Sequence, residues 1–374
     1  MTTELSAPAR PGIHLYALKG RQGDRQMYLL LVTNHELLRN FAAEAEISDG
    51  AERVQRDLDT RHFKDIVNYI TENPAEYLLG AMTYAIDTVE DSDFIPAGPG
   101  SNIGTLVLPT NARLRCLDGQ HRRSAIAEAV RLNEDVGDDY SAVVLYVEDD
   151  FMKRRQMFSD MNATPKVVSK ALNITFDSRD PYARAAQSLA ENHPLLKGVV
   201  ETRKARITTT DAKIFSLAGV FDGLKRFDLG MVLPRGRSPK TKTEDELVAI
   251  GNTLFDTIEA AFPEFTEVKN ELEAVEDPKA KADIMKAARR RTILFSTTTL
   301  RVIAGALHEA MKADGESEAS RYVDRLAKID FAPTSELFTN PDVGFVSGKT
   351  GTPSARNQEV FAATKALTEA IRLR

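Results

Sequence analysis

Cys116-Leu117-Asp118-Gly119-Gln120-His121-Arg122-Arg123-Ser124-Ala125-Ile126, or CLDGQHRRSAI, sets a glycine turn between two apolar patterns. Upstream, "ARLRCL" (112–117) has the alternation of a short strand, and downstream Ala125, Ile126, Ala129, Val130 and Leu132 recur at helical spacing. The context is therefore strand, glycine turn, helix. A helix start exposes about four unpaired N–H groups and a partial positive charge, which suits a phosphate or carboxylate. Gly119 allows close backbone approach, and Arg122 and Arg123 are permanently charged planar donors. Gln120 and His121 add donors able to orient a reacting group. Asp118 has three open roles: helix cap, arginine partner, or ligand of a magnesium ion that accompanies a nucleotide. The plainer alternative is a charged helix start whose arginines are solvated or paired.

Outward from this stretch, "IHLYALKG" (13–20) and "QMYLLLVT" (26–33) alternate like two strands around a Gly20–Gly23 turn. From Asn34 to about Tyr69 the pattern is helical, with Val54, Leu58, Phe63, Ile66, Val67 and Ile70 on one face. "YLLGAMTYAID" (77–87), "TLVLP" (105–109) and "AVVLYVED" (142–149) read as strands, and Phe151 to Met161 as a helix. Beyond about Pro181 long helical patterns take over: "TDAKIFSLAGVFDGLKRF" (210–227), "EDELVAIGNTLFDTIEAAF" (244–262) and "RRTILFSTTTLRVIAGALHEAMKA" (290–313). Thr210 or Asp211 is the expected N-cap of the first. The expected organisation is a loose tail over 1–12, an α+β domain over 13–180 and a mostly helical domain over 181–374, without internal repeats.

The 374 residues, 42% of them hydrophobic, suffice for two cores. A net charge of −6 argues against coating nucleic acid non-specifically, so any such contact needs a local basic surface. One cysteine excludes an internal disulfide and a Cys-rich zinc site, and the scattered histidines show no metal spacing. No signal-peptide core or membrane span is apparent, so the expectation is a soluble cytoplasmic protein.

The residues D-G-Q-H-R (118–122) are the signature of DGQHR-domain proteins, and the chain resembles the wider ParB/sulfiredoxin-like superfamily. "QRDLDTRHFKDIVNYI" (55–70) and "RRQMFSDMNATPKVVSKAL" (154–172) resemble segments of the same families. The best overall match is the DndB family, the regulatory member of DNA phosphorothioation systems; the resemblance rests on motifs over about Gln55 to Thr210 and on length and helical character for the remainder. The resemblance implies a ParB/sulfiredoxin-like mixed sheet and a nucleotide-phosphate site of Gly119, Gln120, His121, Arg122 and Arg123. Asn162, Arg56 and Arg61 would belong to the same pocket. Sulfiredoxins carry a catalytic cysteine inside the box; here that position is Gln120, and Cys116 reads as a small buried strand residue, which removes thiol-based phosphoryl chemistry.

Two functions follow. The first is a promoter-binding repressor of a phosphorothioation gene cluster, working on double-stranded DNA with other modification proteins or as a homo-oligomer. The second is an ATPase or other NTP hydrolase using Mg2+, with DNA-nicking ability, in a complex such as that of 7-deazaguanine insertion. Asp118, Gln120, His121 and Arg122 would then be catalytic.

A separate feature favours DNA. "PRGRSPK" (234–240) resembles an AT-hook core, in which arginines enter a narrow minor groove. The usual pattern has proline directly after the second arginine; here Ser238 intervenes. Arg235, Arg237 and Lys240, with Arg289 and Arg290 of "KAARRR" (286–291), are the expected DNA contacts, against solvated loops and helix ends as the plain reading. "GFVSGKTGTPS" (344–354) fails as a P-loop, because Gly344 is one residue too near Gly348 and a glycine and proline follow where a helix should start.

Overall fold

In the computed structural model the described residues are 11–41, 60–110, 112, 114–163, 174–204, 207–208, 211–232 and 241–372. The chain divides into two compact units, Met1–Lys166 and Val167–Arg374. The fold is α+β, with a mixed sheet in the first unit and mostly helices in the second.

The first unit is built on a seven-stranded sheet of order β4-β5-β1-β2-β7-β3-β6. Strands β1 (Ile13–Gln22) and β2 (Arg25–Thr33) form a hairpin that turns at Gly23, whose φ of 59° a side chain would resist. Helices α1 (Asn34–Asn40) and α2 (Thr60–Glu72) precede β3 (Met82–Ile86). The short edge strand β4 (Phe94–Pro96) pairs with β5 (Ile103–Leu108), and β6 (Leu114–Asp118) leads into α3 (Gln120–Leu132). β7 (Tyr140–Val147) runs antiparallel to β2 and parallel to β3, and α4 (Phe151–Ala163) follows.

Alternation decides the faces. Leu15, Ala17, Tyr28, Leu30, Val32 and Tyr84 point to one side, where Leu37 of α1, Ile70 of α2 and Ile126 of α3 complete the main core. On the other side, among the described residues, Ala85 and Leu117 form a small cluster with Met157 of α4, with Tyr146 and Met161 beside them. Two expected elements are shorter than the pattern suggested. The strand over 77–87 is confined to Met82–Ile86, because Gly80 and Ala81 give their carbonyls to a side chain rather than to a ladder. Of the long helix from Asn34, the ends α1 and α2 are seen; Val54 and Leu58 lie outside the described residues.

The second unit packs α5 (Pro181–Asn192), α6 (Leu217–Leu229), α7 (Glu244–Ala261), α8 (Glu264–Glu273), α9 (Pro278–Arg291), α10 (Thr297–Asp314) and α11 (Asn357–Ile371) around one core. A chain of ring contacts links Phe215, Phe265, Phe262, Phe331, Phe338 and Phe345 at 5.2 to 6.4 Å, within the range of favourable aromatic pairs. Two helix boundaries correct the sequence expectation. α6 starts at Leu217, not near 210: Phe215 and Ser216 form a short parallel bridge to Val200 and Glu201, and Ser216 caps the helix by accepting the Gly219 N–H. Thr210 lies outside the described residues, and Asp211 serves a turn instead. The pattern over 290–313 is broken at Thr292, which leaves the helix to cap a short turn and bond the Phe331 carbonyl before Ser296 caps α10. Periodicity survived both breaks because the apolar residues still face the same core.

Candidate functional site

Strand β6 ends at Asp118, and Gly119 turns the chain into α3 with φ +107°. A Cβ at Gly119 would sit 2.4 Å from Met82 Cγ, so both backbone angle and space demand glycine. Because the N-cap is glycine, α3 begins without a side-chain cap, and the first ladder bond is Arg123 N–H to the Gly119 carbonyl at 2.9 Å. The N–H groups of Gln120, His121 and Arg122 therefore precede the ladder, as a helix start requires. The ring of His121 lies edge-on to that of His62 on α2, 5.3 Å between centroids. His62 is a residue that the sequence pattern does not single out; its only signal is its position on the helix that packs along α3.

The two arginines of the box face inward. Arg122 donates from Nη1 to the carbonyls of Gly80 and Ala81, both at 2.9 Å, and from Nη2 to the Asp118 carboxylate. Asp118 thus takes the arginine-partner role among its three options, one helical turn before Arg122. Arg123 is 8% exposed; its Nε donates to the Phe41 carbonyl and its Nη2 to that of Leu38 at 3.3 Å. It satisfies carbonyls at the C-terminal end of α1, where a cation also meets the negative end of the helix dipole. Arg123 thereby ties α1 to α3, and Arg122 ties α3 to the approach to β3.

The remaining pocket residues are placed only in part. Arg61 lies in the first turn of α2 and Asn162 in the last turn of α4, and their side chains lie outside the described residues, as does Arg56. Cys116 is on β6 at 1% exposure. Glu148 at the end of β7 pairs with Arg25 at 3.5 Å, and Asp150 caps α4 through the Met152 and Lys153 N–H groups; those two bonds hold its carboxyl below the usual range.

In the second unit, Arg235, Arg237 and Lys240 lie outside the described residues. α9 is described throughout. Its N-cap is Asp277, which accepts the N–H groups of Lys279 and Ala280, and Met285 and Ala288 face the core. Arg289 is turned inward: it donates to the carbonyls of Thr208 and Asp211 at 3.0 and 3.1 Å and of Lys213 at 2.6 Å, and burial lowers its pKa. Lys279, Lys286, Arg290 and Arg291 are exposed on the same helix, with Asp283 the acidic residue among them. Spacings of four, three and four along 279, 283, 286 and 290 place that row on one face. The glycine-rich segment over 344–354 forms a turn closed by the Val346–Pro353 bridge, and the next helix starts only at Asn357, so the phosphate-loop context is missing there.

Among the described residues no group of three or more His, Cys, Asp or Glu could hold a metal ion, and no helix is long and apolar enough to cross a membrane. A family model described as DndB, DNA-sulfur modification-associated, matches residues 15–374, nearly the full chain. No curated protein and no solved structure matches.

Proposed function

The chain belongs to the DndB family and so to DNA sulfur modification, and from that premise we propose that it is a DNA-binding regulator that restrains expression of the modification genes. The observation that carries this reading is the outward cationic row of α9. Arg289 is taken up by backbone carbonyls and pins the helix, while Lys286, Arg290 and Arg291 remain on the surface of an acidic protein. Lys279, Lys286 and Arg290 share one face with Asp283, three cations to one carboxylate, with Arg291 one residue beyond, and such a fixed helix suits phosphate contacts, which position a protein on a duplex. Arg235, Arg237 and Lys240 are proposed as further DNA contacts on the sequence pattern alone.

The test is promoter-DNA binding across a salt series for the wild type, Lys286→Glu/Arg290→Glu and Arg235→Glu/Arg237→Glu. Each phosphate that a variant no longer neutralises should reduce the slope of log K against log salt by about 0.9. Unchanged affinity and slope in both variants would remove the reading.

A second reading keeps a nucleotide at the box, favoured by the glycine at the N-cap of α3, which sets no side chain of its own over the first-turn amides. ATP or another NTP with Mg2+ would be held there by the amides of Gln120, His121 and Arg122 together with the His121 and Gln120 side chains, Arg122 and Arg123 serving as braces and not as phosphate arms. Calorimetric titration with Mg-ATP of the wild type and His121→Ala separates the two. Nucleotide affinity that vanishes in His121→Ala supports the site; no heat from the wild type discards it, together with NTP hydrolysis.

A further inference from the structure

Among the described residues, helices α1, α2 and α3 cover one face of the seven-stranded sheet, whereas α4 covers only the β3 and β6 end of the other. The rest of that second face carries two rows of side chains across four strands. Register aligns Ile103, Leu18, Leu29 and Val144 in one row, and Thr105, Tyr16, Leu31 and Ala142 in the next. Apart from Thr105 these are apolar residues, several of them left in water: Tyr16 is 85% exposed, Leu31 60% and Ile103 57%. Neither row contains a charged side chain.

We infer that this face is the interface of a homodimer, the two sheets stacking as a sandwich with Leu18, Leu29 and Leu31 at its centre. Three considerations select a second copy. The exposed apolar area of the two rows with Ile95 is on the order of 600 Å², close to the roughly 800 Å² per partner of a stable interface and larger than most isolated surface patches. Two identical uncharged rows can face each other with no like-charge cost, while a partner with charged anchors would leave them unpaired in an apolar contact. Two twisted sheets stack naturally at about −30° with roughly 10 Å between them, and leucine, isoleucine and tyrosine fill such a gap. Pairing through the β4 edge instead is opposed by the brevity of β4 and by Pro96, which has no N–H to donate.

The experiment is sedimentation equilibrium of the full chain without DNA, so it reads assembly alone and its failure is distinct from that of the DNA reading. The wild type is expected at twice the chain mass at micromolar concentration. Leu29→Asp/Leu31→Asp should weaken the dimer at least 100-fold, while Leu78→Asp, an 83% exposed leucine outside the two rows, should leave it intact. Circular dichroism checks the fold; if aspartate disturbs the sheet, Leu29→Thr/Leu31→Thr keeps strand propensity and carries the same comparison. A wild type that stays monomeric at about 50 µM overturns the inference. So does a dimer indifferent to both double variants, or a monomer that uses these leucines only to bind a different modification protein.

Discussion

Arg122-Arg123 at the start of α3 and Arg289-Arg290 near the end of α9 are the same dipeptide in two settings. In the first, both guanidinium groups are consumed by carbonyls and Asp118. In the second, Arg289 is consumed and Arg290 is left on the surface. An arginine is thus a fastener or an arm according to which carbonyls the chain leaves without ladder partners nearby. Loops that end helices or approach strands supply such carbonyls, and a planar five-donor group is the side chain that can satisfy two or three at once.

The sharpest way to break this contrast is Arg123→Ala. It strands the Phe41 and Leu38 carbonyls in a buried site and should cost about 2–4 kcal/mol in chemical denaturation. A loss under about 0.5 kcal/mol would mean that Arg123 is no fastener. Gly119→Ala should follow at about 2–3 kcal/mol, since it combines a left-handed φ with the approach to Met82. A normal melting temperature in that variant would contradict the turn geometry that delivers both arginines. Arg289→Ala should cost about 1–2 kcal/mol, and limited proteolysis should show the strongest new cleavage around Thr208 to Lys213. Arg290→Ala should leave stability within about 0.5 kcal/mol and lower only DNA affinity; equal destabilisation by the two would erase the distinction.

A smaller effect sharpens the α9 side through pH. The Asp211 carboxyl is pulled down to about 2 by its bond to Lys204 and by the Thr208 N–H, so it sits below its ordinary value. A lowered folded value means that the contribution is present above about pH 4 and fades as pH falls toward 2. The protection of the Thr208 and Asp211 amides, taken relative to the intrinsic exchange rate at each pH, should therefore fall through that window. Asp211→Asn should show the faster exchange already at neutral pH, and an unchanged rate would remove the turn as a support of the Arg289 anchor.

Much of the architecture was legible because its signals are local. Alternation in 13–20 and 26–33 gave the hairpin, and the strand-glycine-helix of the box gave β6, the turn and α3. Cys116 was legible for the same reason, being an alternate residue on a strand. What escaped depended on partners distant in sequence. Nothing in "YLLGAMTYAID" announces that Gly80 and Ala81 will lend their carbonyls to an arginine some forty residues on. The start of α6 was misplaced because Phe215 and Ser216 pair with Val200 and Glu201, a contact that no helical period encodes. His62 and His121 are brought together by the packing of α2 on α3, so their ring contact has no sequence spacing to read.

Cys116 also bears on the sulfur chemistry of the system. It is this chain's single thiol, and it is sealed in β6 between Leu114 and Asp118 at 1% exposure. A persulfide relay needs an accessible thiolate to accept and pass on a sulfur atom. Reaching Cys116 would require prising β6 from its sheet, so this thiol is placed for packing and not for exchange.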